Sequence, residues 1–197
     1  MHWLLFILLA LVMPAQADAA RFPLEQVDEW DKTYDTHFRK YSKRYFGPHT
    51  DWRWFKSQAI AESGLDPDVT SKAGAQGLMQ IMPATFAEIR KRNAHFRTLK
   101  DPRWNIATGI YYDRYLYGKW RTPPPGQERL YFAFGSYNAG YGRIYQALKK
   151  ASGSGRWHEL KPHVPPQTYH YVKRIQRLMS TSYAPGNSLE QLSLIHI

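Results

Sequence analysis

Residues 59–85 read Ala59-Ile60-Ala61-Glu62-Ser63-Gly64-Leu65-Asp66-Pro67-Asp68-Val69-Thr70-Ser71-Lys72-Ala73-Gly74-Ala75-Gln76-Gly77-Leu78-Met79-Gln80-Ile81-Met82-Pro83-Ala84-Thr85. The opening residues form the end of a helix that Asp51 can cap and that stops at Gly64, a residue free to take the left-handed conformation. Glu62 falls in its last turn, where the negative end of the helix dipole disfavours a carboxylate. Apolar Ala59, Ile60 and Ala61 add partial desolvation, so both effects push the carboxyl above the ordinary value of about 4.3. A Glu that holds its proton near neutral pH can serve as a general acid. An ordinary exposed helix-end Glu is the competing reading. Residues 65–82 change character: Gly, Ser, Asp and Ala dominate, with turn signals at Asp66-Pro67 and Lys72-Ala73-Gly74. They read as an ordered loop or short hairpin, and Pro83 starts the next helix.

Outward from this stretch the pattern is helical. Val27, Trp30, Tyr34, Phe38, Tyr41 and Tyr45 recur at three- and four-residue spacing, which predicts an N-terminal helix within 22–48 that stops at Gly47-Pro48. Further helices are expected with Phe86 and Ile89, after Asp101-Pro102 with Ile106, Ile110 and Leu116, over 127–137, after Asn138-Ala139-Gly140, and from near Pro166 with Val172, Ile175 and Leu178. Short helices around one irregular loop suggest an α+β, predominantly α-helical domain over 49–182.

The composition bounds the function. The 197 residues hold 43% hydrophobic and 15% aromatic side chains, enough for one globular domain with a core. Seven Trp and 14 Tyr fit either core packing or a cleft in which rings stack on sugars. Lys and Arg number 27 against 16 acidic residues, a net +11 that favours a polyanionic partner such as cell wall, acidic lipid or nucleic acid. No recognition motif supports nucleic acid, and the scattered basic clusters read mainly as solvated helix faces. Cysteine is absent, which excludes disulfides, thiolate metal sites and a Cys nucleophile. The eight His show no ligand spacing, so neither a metal nor any other cofactor is expected.

At the N-terminus, Trp3 to Met13 is an unbroken apolar run too short to span a bilayer. Ala15-Gln16-Ala17 follows in the small-x-small pattern of signal peptidase sites, so residues 1–17 are expected to be a signal peptide and the protein exported to the periplasm or cell envelope. An uncleaved anchor is the alternative, since no Lys or Arg precedes the run. Residues 183–197 read as a tail. Its last six, Leu192 to Ile197, look like a translated sequencing adaptor, which a genomic read through those codons would test.

Four ordered motifs then carry a resemblance. Glu62-Ser63-Gly64 with Gly77-Leu78-Met79-Gln80 and Pro83-Ala84-Thr85, Asn105-Ile106-Ala107-Thr108-Gly109, Ser136-Tyr137-Asn138-Ala139-Gly140, and Gln167-Thr168-Tyr169-His170-Tyr171-Val172 closely resemble the motifs of the lytic transglycosylase family, relatives of goose-type lysozyme. The resemblance covers roughly residues 50–180. Gln167 stands where the family usually has Glu, and Asp51-Trp52-Arg53 is similar to the membrane-bound branch. The resemblance implies a lysozyme-like fold, a peptidoglycan glycan strand as substrate, and Glu62 as the catalytic residue, acting as acid and then base to leave 1,6-anhydromuramic ends.

Each motif residue has a physical job under that reading. Gly74 and Gly77 let the loop turn tightly, Gln80 offers donor and acceptor to an acetamido group, and Met79 supplies a flexible apolar wall. Tyr137 and Tyr171 can bond Glu62 or the substrate. Ser63 and Ser71 are candidate polar contacts. Asn138 either contacts substrate or breaks one helix and caps the next. Core packing is the competing reading for Met79, Tyr137 and Tyr171. Asp66 and Asp68 sit in turns, so one carboxylate is expected to carry the chemistry. A water-using lysozyme of the same fold and a non-catalytic wall-binding module are the alternatives. The enzyme is expected to act as a monomer, with a peripheral membrane contact through its basic surface.

Overall fold

The computed structural model describes residues 30–121, 126–151 and 155–181. The expected signal peptide over 1–17 and tail over 183–197 lie outside them. Among the described residues, seven α-helices follow in order: α1 (Asp35–Phe46), α2 (Arg53–Ser63), α3 (Pro83–Arg92), α4 (Pro102–Lys119), α5 (Glu128–Ala139), α6 (Tyr141–Lys150) and α7 (Pro166–Thr181). A 3-10 turn over Trp157–Leu160 precedes α7. None of these helices is long and apolar enough to cross a membrane. The fold is predominantly α-helical, as expected.

The boundaries come from local chemistry. Gly64 ends α2 at φ 66°, and its N–H donates to the Ile60 carbonyl. Asp101 caps α4 by accepting from the Arg103 N–H at 2.8 Å, with Pro102 in the first turn. The Asp51 carboxylate accepts from the Arg53 N–H at 2.9 Å and from the guanidinium of the same residue, so it fastens the start of α2 from just outside. The first helix is shorter than its periodicity suggested. Asp31 accepts from both the backbone and the hydroxyl of Thr33, a turn that competes with helix, and α1 starts only at Asp35. Trp30 and Tyr34 still pack on the core from that turn.

α2 is the central element. Trp54 to Ile60 are all buried, because α2 lies between α1 and α7. Only helices in the middle of a domain are covered all round. α4 runs beneath α1 and α5, and α5 packs on α6 and α7. Phe55, Phe132, Phe134, Ile106, Ile110, Val172 and Ile175 fill the space between them with no exposed surface. The loop between α2 and α3 forms a tight fold instead of regular strands. Two isolated antiparallel bridges, Thr70 with Gln76 and Gln76 with Ile81, are what the expected hairpin amounts to.

Candidate active site

Because α2 is buried, its C-terminal turn opens Glu62 toward the surface from inside the core. The side chain keeps partial access to solvent while protein surrounds its carboxyl. Burial pushes the carboxyl up to about 7; a hydrogen bond from Tyr171 and the nearby Arg174 charge pull the other way and lose. Tyr171 on α7 donates to Glu62 Oε1 at 2.6 Å. Arg174, one turn further along α7, reaches the Ala61 carbonyl at 3.4 Å. Burial weakens the Arg174 hold on its proton, and Glu62 counters that.

The loop after α2 is clamped from several sides. Ser63 Oγ donates to the Leu78 carbonyl at 2.9 Å, tying the helix end to the loop. Ser71 closes the 71–75 turn, its Oγ accepting from the Ala75 N–H at 3.0 Å. The Gln80 amide donates to the Gly77 and Val69 carbonyls at 3.0 and 3.2 Å, and this holds its backbone at φ 45°, a conformation a non-glycine residue rarely takes. The Tyr137 hydroxyl donates to the Met79 carbonyl at 2.7 Å. Beneath the loop, Asn105 of α4 accepts from the Met79 N–H at 2.8 Å and donates to the Gln76 and Leu99 carbonyls at 2.9 and 3.0 Å. Gly77 has φ 69°, and a Cβ there would collide with the Asn105 side chain. Gly109 likewise leaves room for Met79, whose side chain lies 2.8 Å from where a Cβ would stand.

Several expected roles therefore change. Met79 is fully buried, so it is a core residue under the loop and not a wall of an open cleft. Ser63 at the end of α2 and Ser71 and Gln80 in the loop each bond backbone groups of the loop, and so help to build the site. Asn138 breaks no helix: α5 continues to Ala139, Gly140 ends it at φ 86°, and Asn138 Oδ1 accepts from the Thr168 hydroxyl at 2.8 Å, joining α5 to α7. Tyr171 and Glu62 come together as expected.

The sequence reading passed over Gln58, Asp113 and Arg174 as parts of this site, and gave Asn105 no role. Gln58 and Asp113 were detectable. Gln58 lies in the apolar face of α2, four residues before Glu62, and Asp113 interrupts the apolar spacing of Ile106, Ile110 and Leu116 on α4.

A ladder of rings and cations leads away from the loop. Tyr112 packs on Tyr137 with ring centroids 5.3 Å apart and stacks on Tyr115 at 6.1 Å. Lys119 Nζ lies 4.9 Å from the Tyr115 ring and 4.9 Å from the Tyr141 ring. Tyr141 stacks on Tyr145 at 5.9 Å, and Lys149 covers Tyr145 at 4.7 Å. Tyr115 and Tyr145 are the exposed rings in this row.

The site thus joins a carboxyl raised to near neutrality at the end of a buried helix to a glycine-bearing clamp within a predominantly helical domain. The match to a family model is direct: residues 38–160 fit the transglycosylase SLT domain, and the chain belongs to that family. Among curated relatives, membrane-bound lytic murein transglycosylase F of Shewanella woodyi is 29% identical over 178 residues, covering 87% of this chain and 35% of the relative. Its namesake in Maricaulis maris is 34% identical over 119 residues, covering 58% and 25%. The chain thus spans about a third of the length of the curated relatives it matches. Of solved structures, the 70 kDa soluble lytic transglycosylase of Escherichia coli superposes with TM-score 0.67 at 29% identity, covering 80% of this chain and 25% of that one. The complex of the 70 kDa soluble lytic transglycosylase with bulgecin A gives 0.66 at 27% identity, covering 81% and 25%. The family match stops before α7, so Tyr171 and Arg174 lie beyond it.

Proposed function

We propose that this chain is a peptidoglycan lytic transglycosylase that cleaves the β-1,4 bond between N-acetylmuramic acid and N-acetylglucosamine without water, with Glu62 as acid and then base. The observation that carries this reading is the Glu62 carboxyl, pushed up to about 7 at the end of a buried helix and held by Tyr171. Such a group holds its proton near neutrality and loses it at little cost, as a residue with both roles requires.

Glu62 gives its proton to the glycosidic oxygen as the bond from that oxygen to muramic C1 breaks. The cationic C1 is stabilised by the neighbouring acetamido oxygen and by the carboxylate left on Glu62. That carboxylate then takes the proton from the muramic C6 hydroxyl while O6 bonds to C1. Glu62 ends protonated, one sugar carries a 1,6-anhydro ring, and no water is consumed. Tyr171 steadies the carboxylate stage, since its hydroxyl donates to the charged form.

A water-using glycosidase with two carboxylates would need a second one facing the sugar. Asp113, a second carboxyl near Glu62, is fully buried and cannot touch a substrate. Asp66 serves its own turn, accepting from the Asp68 N–H at 2.9 Å. Both observations favour the anhydro route over the lysozyme-like one. The ring and cation ladder from Tyr112 to Lys149 supports a bound glycan strand with acidic substituents. The same reading makes the protein an exported, monomeric envelope enzyme, with its basic surface available for peripheral membrane contact.

The test is digestion of purified peptidoglycan by the full chain, with Glu62→Gln as control, and mass spectrometry of the products. Anhydro ends from the parent and none from the variant are expected. Products heavier by one water would make it a hydrolase, and intact strands with both would reduce it to a binding protein.

A further inference from the structure

Directly behind Glu62, in the core, lies an amide and a carboxyl that the proposed chemistry does not use. Gln58 stands one helical turn before Glu62 on the same face of α2. Asp113 comes from α4. Neither side chain is reached by solvent. The Gln58 amide donates to Asp113 Oδ1 at 3.3 Å. Of the two groups' remaining oxygens, Asp113 Oδ2 and Gln58 Oε1, each is buried and without a hydrogen-bond partner among the described residues. Two orphaned acceptors on one bonded pair are costly to bury.

One proton removes both. We infer that Asp113 is a permanently neutral carboxylic acid, its Oδ2 hydroxyl donating to Gln58 Oε1 and closing a two-bond acid–amide ring that fixes the Glu62 turn of α2 against α4. A proton on Oδ2 converts that oxygen from acceptor to donor, and the amide then gives and receives one bond each. An ionised Asp113 offers no such donor and leaves Gln58 Oε1 unpaired.

The charged surroundings agree. Asp113 faces Glu62 on its own side of the core, Tyr137 on α5, Tyr171 on α7 and Tyr112 on α4; none of these supplies a cation to hold a carboxylate. Arg174 of α7 reaches the Ala61 carbonyl and acts on Glu62. Burial raises Asp113 well above the usual carboxylate range; the hydrogen bond from Gln58 pulls it down, and a smaller contribution from the Glu62 charge adds to the rise. Asp113 therefore keeps its proton while Glu62 gives and regains its own. Asp113 is a positioning residue: it touches no substrate and acts through Gln58 and α2. It also spares Glu62 a negative neighbour during the base step. That functional half rests on Glu62 being the acid, whereas the protonation state stands without it.

The experiment reads the two halves separately. The side-chain 13C shift of Asp113 in the full chain labelled at Asp, assigned by its loss in Asp113→Asn, is followed from pH 5 to pH 9. A constant shift at the protonated value is expected. An ionised value, or titration in that range, would overturn the proposal and would indicate a carboxylate solvated by a trapped water. This measurement needs no activity, so it survives failure of the transglycosylase reading, and it is made on the parent, so a variant that fails to fold does not blunt it. For the positioning role, Asp113→Asn can reproduce both bonds of the ring, so it should keep activity within about twofold and leave the alkaline limb of the pH–rate profile in place. Asp113→Ala leaves Gln58 without either bond and should lower kcat about tenfold with KM little changed. A limb moved to lower pH in Asp113→Asn would mean that a charge had been removed and would overturn the inference. Equal kcat in Asp113→Ala and the parent would overturn the positioning role.

Discussion

The Tyr171 hydroxyl donates to Glu62 Oε1 at 2.6 Å across 109 residues of chain, from the last described helix to the end of the second. This bond favours the charged carboxylate and so opposes the burial that favours the acid. Tyr171→Phe removes the donor, and the Glu62 pKa should rise further. The alkaline limb of the pH–rate profile would move to higher pH, and kcat should fall about tenfold, the equivalent of roughly 1.4 kcal/mol for one charge-assisted bond. Rates across pH 5–9 check this, and a limb moving to lower pH would contradict it.

The raised carboxyl also has a stability cost of known sign. In the folded protein Glu62 holds its proton up to about 7, whereas unfolded it titrates near 4.5. Between those values the folded state binds more protons than the unfolded one, so stability contributed by this group falls as pH rises and stays low above pH 7. Glu62→Gln cannot ionise and escapes the loss. It should be equal to or slightly below the parent at pH 4 and more stable by about 1–2 kcal/mol at pH 8, a figure reduced for the partial access of water to Glu62. Thermal unfolding of both at the two pH values measures it. The same variant should lose at least about a thousandfold in activity.

Asn105 fastens the loop to α4 through the Met79 N–H and the Gln76 carbonyl, and it also bonds the Leu99 carbonyl just before α4. Asn105→Ala would orphan all three, with an expected loss of about 2–4 kcal/mol. Asn105→Asp keeps the acceptor for the Met79 N–H but aims a carboxylate at two carbonyls, so it should be no better. Denaturant unfolding gives the values. Protease cutting within 69–81 should rise in both variants.

If the aromatic ladder carries the strand, Tyr145→Ala should weaken pelleting with insoluble peptidoglycan about threefold to tenfold, with cleavage of short soluble fragments unchanged. Tyr145 is exposed and at the far end of the row, so folding should not suffer. Equal pelleting by variant and parent would remove the ladder from the binding surface.

Much of this architecture was legible because helix ends are local. Gly64, Asp101-Pro102, Pro83 and Gly140 each terminate or open a helix through their own backbone or a neighbour two residues away, so sequence alone locates them. The same logic, unread, was present in Asp31 and Thr33, which cut the first helix short. Glu62 was legible for the same reason: its place in the final turn of an apolar helix already implies a raised carboxyl. The partners were harder. Met79 lies in a glycine-rich stretch that reads as open loop, yet its side chain is fully buried in the space left by Gly109. Gln58 and Asp113 interrupt apolar faces, but a polar residue on such a face says nothing of which other helix will meet it. That requires the packing of α2, α4 and α7, which no short window of sequence contains.

The order of the helices along the chain sets a timetable. Glu62 is made early, at the end of α2, but Tyr171 and Arg174 arrive only with α7, the last helix described. α7 also covers a flank of α2, so it supplies part of the burial that raises the carboxyl. A chain without α7 lacks the Tyr171 donor and one of the two flanks that cover α2, so its Glu62 carboxyl would lie closer to the ordinary carboxylate range. With Glu62 as the acid proposed above, catalysis would begin only once α7 has docked on α2.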